Sequence, residues 1–178
     1  MDILIKKGNI IKTKTPAMIL PICEKEKGLK GVIKEVDEKT GGMISQIIKR
    51  GDFEGKPSQI SILYVKDVLL AQRVVLVGLG KRDGMTLEEI RNAYARVMQT
   101  LRNLNVKDTA TFFDFSVLPI EKEKIAAAIA EGTLLGLYQY TPYKTQGRDE
   151  IREMKSLEIV AEDIDTSVIQ IAVRKAKM

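Results

Sequence analysis

The sequence contains no histidine at all. That one absence removes Ser/His/Asp and Cys/His nucleophilic catalysis, imidazole metal ligation and histidine acid–base chemistry together. Carboxylate, lysine and tyrosine chemistry stay open. Cysteine occurs once, as Cys23, so neither an internal disulfide nor a cysteine-based zinc cage can form within the chain. No apolar run approaches the roughly 20 residues that span a bilayer. The opening Met1-Asp2-Ile3-Leu4-Ile5-Lys6-Lys7 has a short apolar stretch and an early acid, unlike a secretory signal. These absences point to a soluble chain of the reducing cytosol with no membrane partner.

What is present has the balance of a folded domain: 178 residues, 44% hydrophobic and 30% charged. A chain of this length buries roughly 70% of its unfolded surface, enough to hold together without a staple. The 29 Lys and Arg exceed the 24 Asp and Glu by a net charge of +5, with the signs interspersed. A nucleic-acid-binding module is therefore kept as an alternative, although no strong basic block supports it.

Along the chain, strand and helix patterns alternate. Short strands are predicted over Asp2–Ile5 and Ala17–Ile22, then helices over Gly31–Lys39 and Met43–Lys49, separated by Gly41-Gly42. A glycine- and proline-bearing loop, Gly51 to Pro57, leads to a strand over Gln59–Val65. Arg73–Leu79 is almost continuously apolar, as a strand covered on both faces must be. Thr86 and Glu89 form a capping box for a helix over Leu87–Leu104, whose Leu87, Ile90, Tyr94, Val97, Leu101 and Leu104 make one stripe. Thr109–Phe115 reads as a strand. A helix from about Glu121 to Tyr138 follows, with small residues such as Ala128, Gly132 and Gly136 that would admit a close neighbour. Ser156–Ala161 is a last strand, and Thr166–Lys177 an amphipathic helix with Val168, Ile171 and Ala172 on one side. Strands joined by helices of this length need crossover connections. The expected fold is a three-layer α/β/α domain with a mixed, largely parallel sheet.

Few residues suggest chemistry. The segment Gly78-Leu79-Gly80-Lys81-Arg82-Asp83-Gly84 leaves the end of the central strand. Backbone N–H groups there, with Gly78, Gly80 and Lys81, could cradle a phosphate. Yet Asp83 stands where a dinucleotide fingerprint needs its third glycine, and no P-loop ending is present. The plain alternative is a strand-to-helix turn. Glu24, Glu26, Asp37 and Glu38 read as solvated acids rather than metal ligands, and Glu121-Lys122-Glu123-Lys124 as a helix opening. Tyr138, Tyr140, Tyr143 and Lys144 could stack on a base, or simply pack a helix end against the sheet. Cys23, with no histidine to activate it, reads as a small buried hydrophobe. No residue is nominated as catalytic or as a metal ligand.

Three segments, in order, resemble the N-terminal domain of the cytosolic leucyl aminopeptidase family. They are Ile48 to Lys56 (Ile-Lys-Arg-Gly-Asp-Phe-Glu-Gly-Lys), Arg73 to Arg82 with Thr86-Leu87-Glu88, and Ala130 to Tyr138 running into Tyr143-Lys144. The resemblance implies a macro-domain-like fold over residues 1–162. In the family a separate catalytic domain holds two divalent metals, zinc or manganese, and removes N-terminal residues from peptides. It also implies a cytoplasmic parent assembled as a homohexamer. The hallmark Asn-Thr-Asp-Ala-Glu-Gly-Arg-Leu segment is not in this chain. No catalytic or metal residue of the family is therefore carried onto any position here. Residues 163–178 are expected to begin a linker helix toward that catalytic domain, cut short at Met178. A stand-alone nucleotide or ADP-ribose binder is the remaining alternative, although Ala17 to Glu24 lacks the Asn-Ala-Ala-Asn type of segment that macro domains carry there.

Overall fold

The computed structural model describes residues 1–26, 28–65, 67–114, 120–139, 152–162 and 165–176. Its elements are β1 (Asp2–Lys7), β2 (Met18–Glu24), α1 (Gly31–Lys39), α2 (Met43–Arg50), β3 (Ile60–Tyr64), β4 (Arg73–Lys81), α3 (Leu87–Asn103), β5 (Asp108–Phe112), α4 (Lys122–Leu137), β6 (Ser156–Ala161) and α5 (Thr166–Ala176). A short 3₁₀ turn, Ile10–Lys12, was not legible in the pattern. It buries Ile10 and Ile11, and the Asn9 side chain accepts a hydrogen bond from the Ile11 N–H at 2.8 Å.

The strands form one sheet in the order β1-β6-β5-β2-β4-β3. All neighbours pair in parallel except β3, which lies antiparallel on β4 at one edge. As its apolar run demands, β4 is buried from Val74 to Gly80 and covered on both sides. The residues alternate between two cores. Val75, Val77 and Ile19 join α3, α4 and α5, whereas Val74, Leu76 and Leu20 join α1, α2 and the 3₁₀ turn. The architecture is the expected mixed, largely parallel three-layer α/β fold.

The helical layers differ in how tightly they seat. At α3 the capping box forms as the sequence predicts: Glu89 accepts from the Thr86 N–H at 2.7 Å, and the Thr86 hydroxyl accepts from the Glu89 N–H at 3.3 Å. The small residues of α4 admit α3. A Cβ on Gly132 would lie 2.3 Å from the Arg91 carbonyl oxygen, and one on Gly136 would lie 2.4 Å from that of Ala95. Only glycine permits this backbone-on-backbone contact. Arg91 adds an ion pair to Glu131 across the same seam and a second to Glu88 on its own helix.

Two expectations need correction. Among the described side chains of α5, which do not include that of Val168, Ile169 and Val173 are buried while Ile171 is 54% exposed. The helix is rotated from the expected stripe, and this turns Gln170 toward β1. Asp37 is not a solvated acid. It is buried on α1 and accepts hydrogen bonds from the Ser45 N–H at 2.9 Å and from the Ser45 hydroxyl. It therefore caps α2, whose own N-cap residue, Gly42, has no side chain to do so. Ile169 and Val173 of α5 join the same core as α3 and α4.

Candidate functional site

In a parallel sheet a crevice opens beyond the strand ends where successive connections leave on opposite faces. Here β2 leads to α1 on one face and β4 leads to α3 on the other. A cleft of about 630 Å³ lies beside the end of β2, between residues 24–26, residues 28–29, α2 and residues 53–56. Ile22, Leu29, Ile48 and Phe53 supply its apolar wall, and Glu24, Lys25, Lys49, Glu54 and Lys56 are among its charged lining. The rim thus offers both signs over an apolar floor.

Cys23 lies in this wall and is buried. Burial pushes its thiol above the ordinary range, Glu26 pushes the same way, and the charge and hydrogen bond of Arg82 oppose both. A thiol raised in this way ionises less readily and is a poorer nucleophile. Glu26 is ion-paired to Arg82 and Glu54 to Lys56. Contact with Glu54 raises the Lys56 ammonium above its usual value. Among the described residues no group of three or more His, Cys, Asp or Glu is placed to hold a metal ion. Among its described lining residues no activated nucleophile or paired acid and base is assembled.

Gly78 and Gly80 lie within β4, which runs two residues past its expected end to Lys81. Residues 55–59 lie against them. The Gly78 N–H donates to the Gln59 carbonyl at 2.8 Å, and the Gly80 N–H to the Gly55 carbonyl at 2.9 Å. A Cβ on Gly78 would sit 2.0 Å from the Lys56 carbonyl oxygen, and one on Gly80 would sit 2.9 Å from the Pro57 ring. Close packing of this loop accounts for both glycines, and their N–H groups are already used. Lys81 is exposed at the strand end, beside Glu24 of β2. Tyr138 is 74% exposed beyond α4, while Tyr140, Tyr143 and Lys144 lie outside the described residues. The cleft itself was not foreseen. Its lining comes from segments up to about 30 residues apart, and no local pattern marks their convergence.

Residues 19–147 match the family described as the cytosol aminopeptidase family, N-terminal domain. The cytosol aminopeptidase of Pseudomonas aeruginosa is 32% identical over 178 residues, covering 99% of this chain and 36% of that protein. A probable cytosol aminopeptidase of Alkaliphilus metalliredigens is 32% identical over 148 residues, covering 82% of this chain and 29% of that protein. The chain thus spans about a third of the length of these relatives. Among solved structures, a tomato leucine aminopeptidase mutant superposes with a TM-score of 0.83 at 17% identity, covering 99% of this chain and 35% of that one. A macrodomain of Oceanobacillus iheyensis with MES bound gives 0.69 at 12% identity, covering 96% and 89%. At those identities the structures speak for the fold alone.

Proposed function

Because the chain belongs to the cytosol aminopeptidase family, matching its N-terminal domain, we propose that it is the non-catalytic accessory domain of a metal-dependent aminopeptidase. One observation carries the reading: this chain matches the family's N-terminal domain and covers only about a third of relatives that are about three times as long. The remaining length is where a catalytic domain holding two divalent ions, zinc or manganese, belongs. These residues would then cover that domain, take part in contacts between subunits of a homohexamer, and limit access of peptide substrates. The relatives' name, cytosol aminopeptidase, supports a cytoplasmic compartment.

The test is hydrolysis of a leucyl chromogenic substrate by the purified chain with added manganese or zinc. No turnover is expected. Metal-dependent turnover that tracks the protein through purification would overturn the reading. The rival, an ADP-ribose binder, draws on the macrodomain likeness and the cleft, but its proposed phosphate contacts lose force because the Gly78 and Gly80 N–H groups already have partners. Calorimetry with ADP-ribose separates the two: the accessory reading expects no heat of binding, and micromolar affinity would favour the rival.

A further inference from the structure

An edge strand presents a row of outward N–H and C=O groups that can pair with another chain, and proteins usually blunt such edges with charge, proline or a cover. The β1 edge is blunted. Its outward groups fall at Ile3 and Ile5, and Gln170 of α5 serves both: its side-chain oxygen accepts from the Ile5 N–H at 3.1 Å, and its nitrogen donates to the Ile3 carbonyl at 3.3 Å. Charged Asp2, Lys6 and Lys7 flank the Ile3-Leu4-Ile5 stretch of that strand.

The β3 edge has none of this. The Gly78 N–H donates to the Gln59 carbonyl and the Val65 N–H to the Gln72 carbonyl. Odd-numbered residues of β3 therefore face β4, and Ile60, Ile62 and Tyr64 point their backbone groups outward. Among the described residues none of these three has a side-chain partner for its N–H or C=O. From Pro57 to Val65 there is no acid, lysine or arginine. Tyr64 at the end of this strand is 66% exposed, and Val68 and Leu70, which follow it in the chain, are 51% and 55% exposed.

We infer that β3 is a pairing edge for a second copy of this chain, joined antiparallel about Ile62. That register is self-complementary. Each Ile60 falls opposite Tyr64 of the other copy, an aromatic on a β-branched residue, which is a favourable cross-strand pair. The Arg73 guanidinium, stacked on the Tyr64 ring at 5.5 Å, has a buried Nε with no hydrogen-bond partner among the described residues. The seam is five residues per copy, about 17 Å long at the usual rise. That is small against the roughly 1,200 Å² of a stable standard interface. The dimer is therefore weak, reversible and dependent on concentration.

Sedimentation of the 178-residue chain over a concentration series tests this. The average mass should climb toward twice the monomer as concentration rises. Tyr64→Pro removes an outward N–H, an exposed side chain and its contact with the Arg73 guanidinium, and should weaken association at least tenfold. Tyr64→Lys should do the same by charge. Leu4→Lys, on the covered β1 edge, should leave association unchanged. Thermal unfolding at low concentration verifies that each variant is folded. A chain that stays monomeric at the highest attainable concentration overturns the inference, and so does a dimer that both Tyr64 variants leave intact.

Discussion

The two helical layers of this domain are held to the sheet in different ways. On one side α3 and α4 meet backbone to backbone at Gly132 and Gly136, over a core that buries Tyr94, Met98, Leu101 and Ile125. On the other, α1 and α2 are short, are tied together through Asp37 and Ser45, and leave a cleft beside the end of β2. The difference teaches where each layer's stability resides. The first relies on close packing and tolerates no added atom. The second relies on a few polar ties around a space that a side chain could enter.

The largest expected effect probes that contrast directly. Gly132→Val should force α3 and α4 apart, because its Cβ meets the Arg91 backbone rather than a yielding side chain. The cost should be about 3 kcal/mol in urea unfolding, at the upper end for overpacking. On the open layer Gly28→Ala meets nothing within 4 Å and suffers only its left-handed φ of +80°, about 1 kcal/mol. Equal losses at the two positions would break the comparison.

Next comes the polar tie. Asp37→Ala removes the cap of α2 and should cost about 1–2 kcal/mol. Faster amide exchange should appear first at Ser45 and along α2, while α3 and α4 keep their protection. Uniform loss of protection would mean that the layers do not open separately.

The smallest effect lies in the tight layer. Tyr94 is fully buried and shares a 2.7 Å hydrogen bond with the Thr111 hydroxyl. Burial drives its phenol well above the ordinary value, against a smaller opposing effect of that hydrogen bond. The sign follows from the proton count. In the unfolded chain the phenol ionises above pH about 10, while the folded chain keeps its proton. Stability from this site is thus complete below that pH and falls as pH rises further. Tyr94→Phe should cost about 1 kcal/mol at neutral pH and give a shallower decline in alkali. Parallel declines for the two proteins would show that Tyr94 does not set the alkaline limit.

Much of the scaffold was legible because its signals are local. The apolar run of β4, the capping box at Thr86 and Glu89 and the spacing of Ile90, Tyr94, Val97 and Leu101 each place an element without reference to the rest. The small residues of α4 announced a close neighbour but could not name α3. The candidate site was less legible. Gly78 and Gly80 looked like a turn because glycine marks both turns and close approach, and only the loop at 55–57 distinguishes the two. Asp37 looked solvated because its partner, eight residues on, lies beyond a glycine pair that reverses the chain.

From the sequence alone came the fold class, the absence of histidine and disulfide chemistry, and the family, since composition and ordered segments need no third dimension. Tertiary structure decided which acid is buried, why the β4 glycines are needed, where the cleft opens and which sheet edge is left bare. Each of these depends on groups distant in the chain meeting within a few ångströms. Covalent order constrains such meetings only weakly until the core has packed.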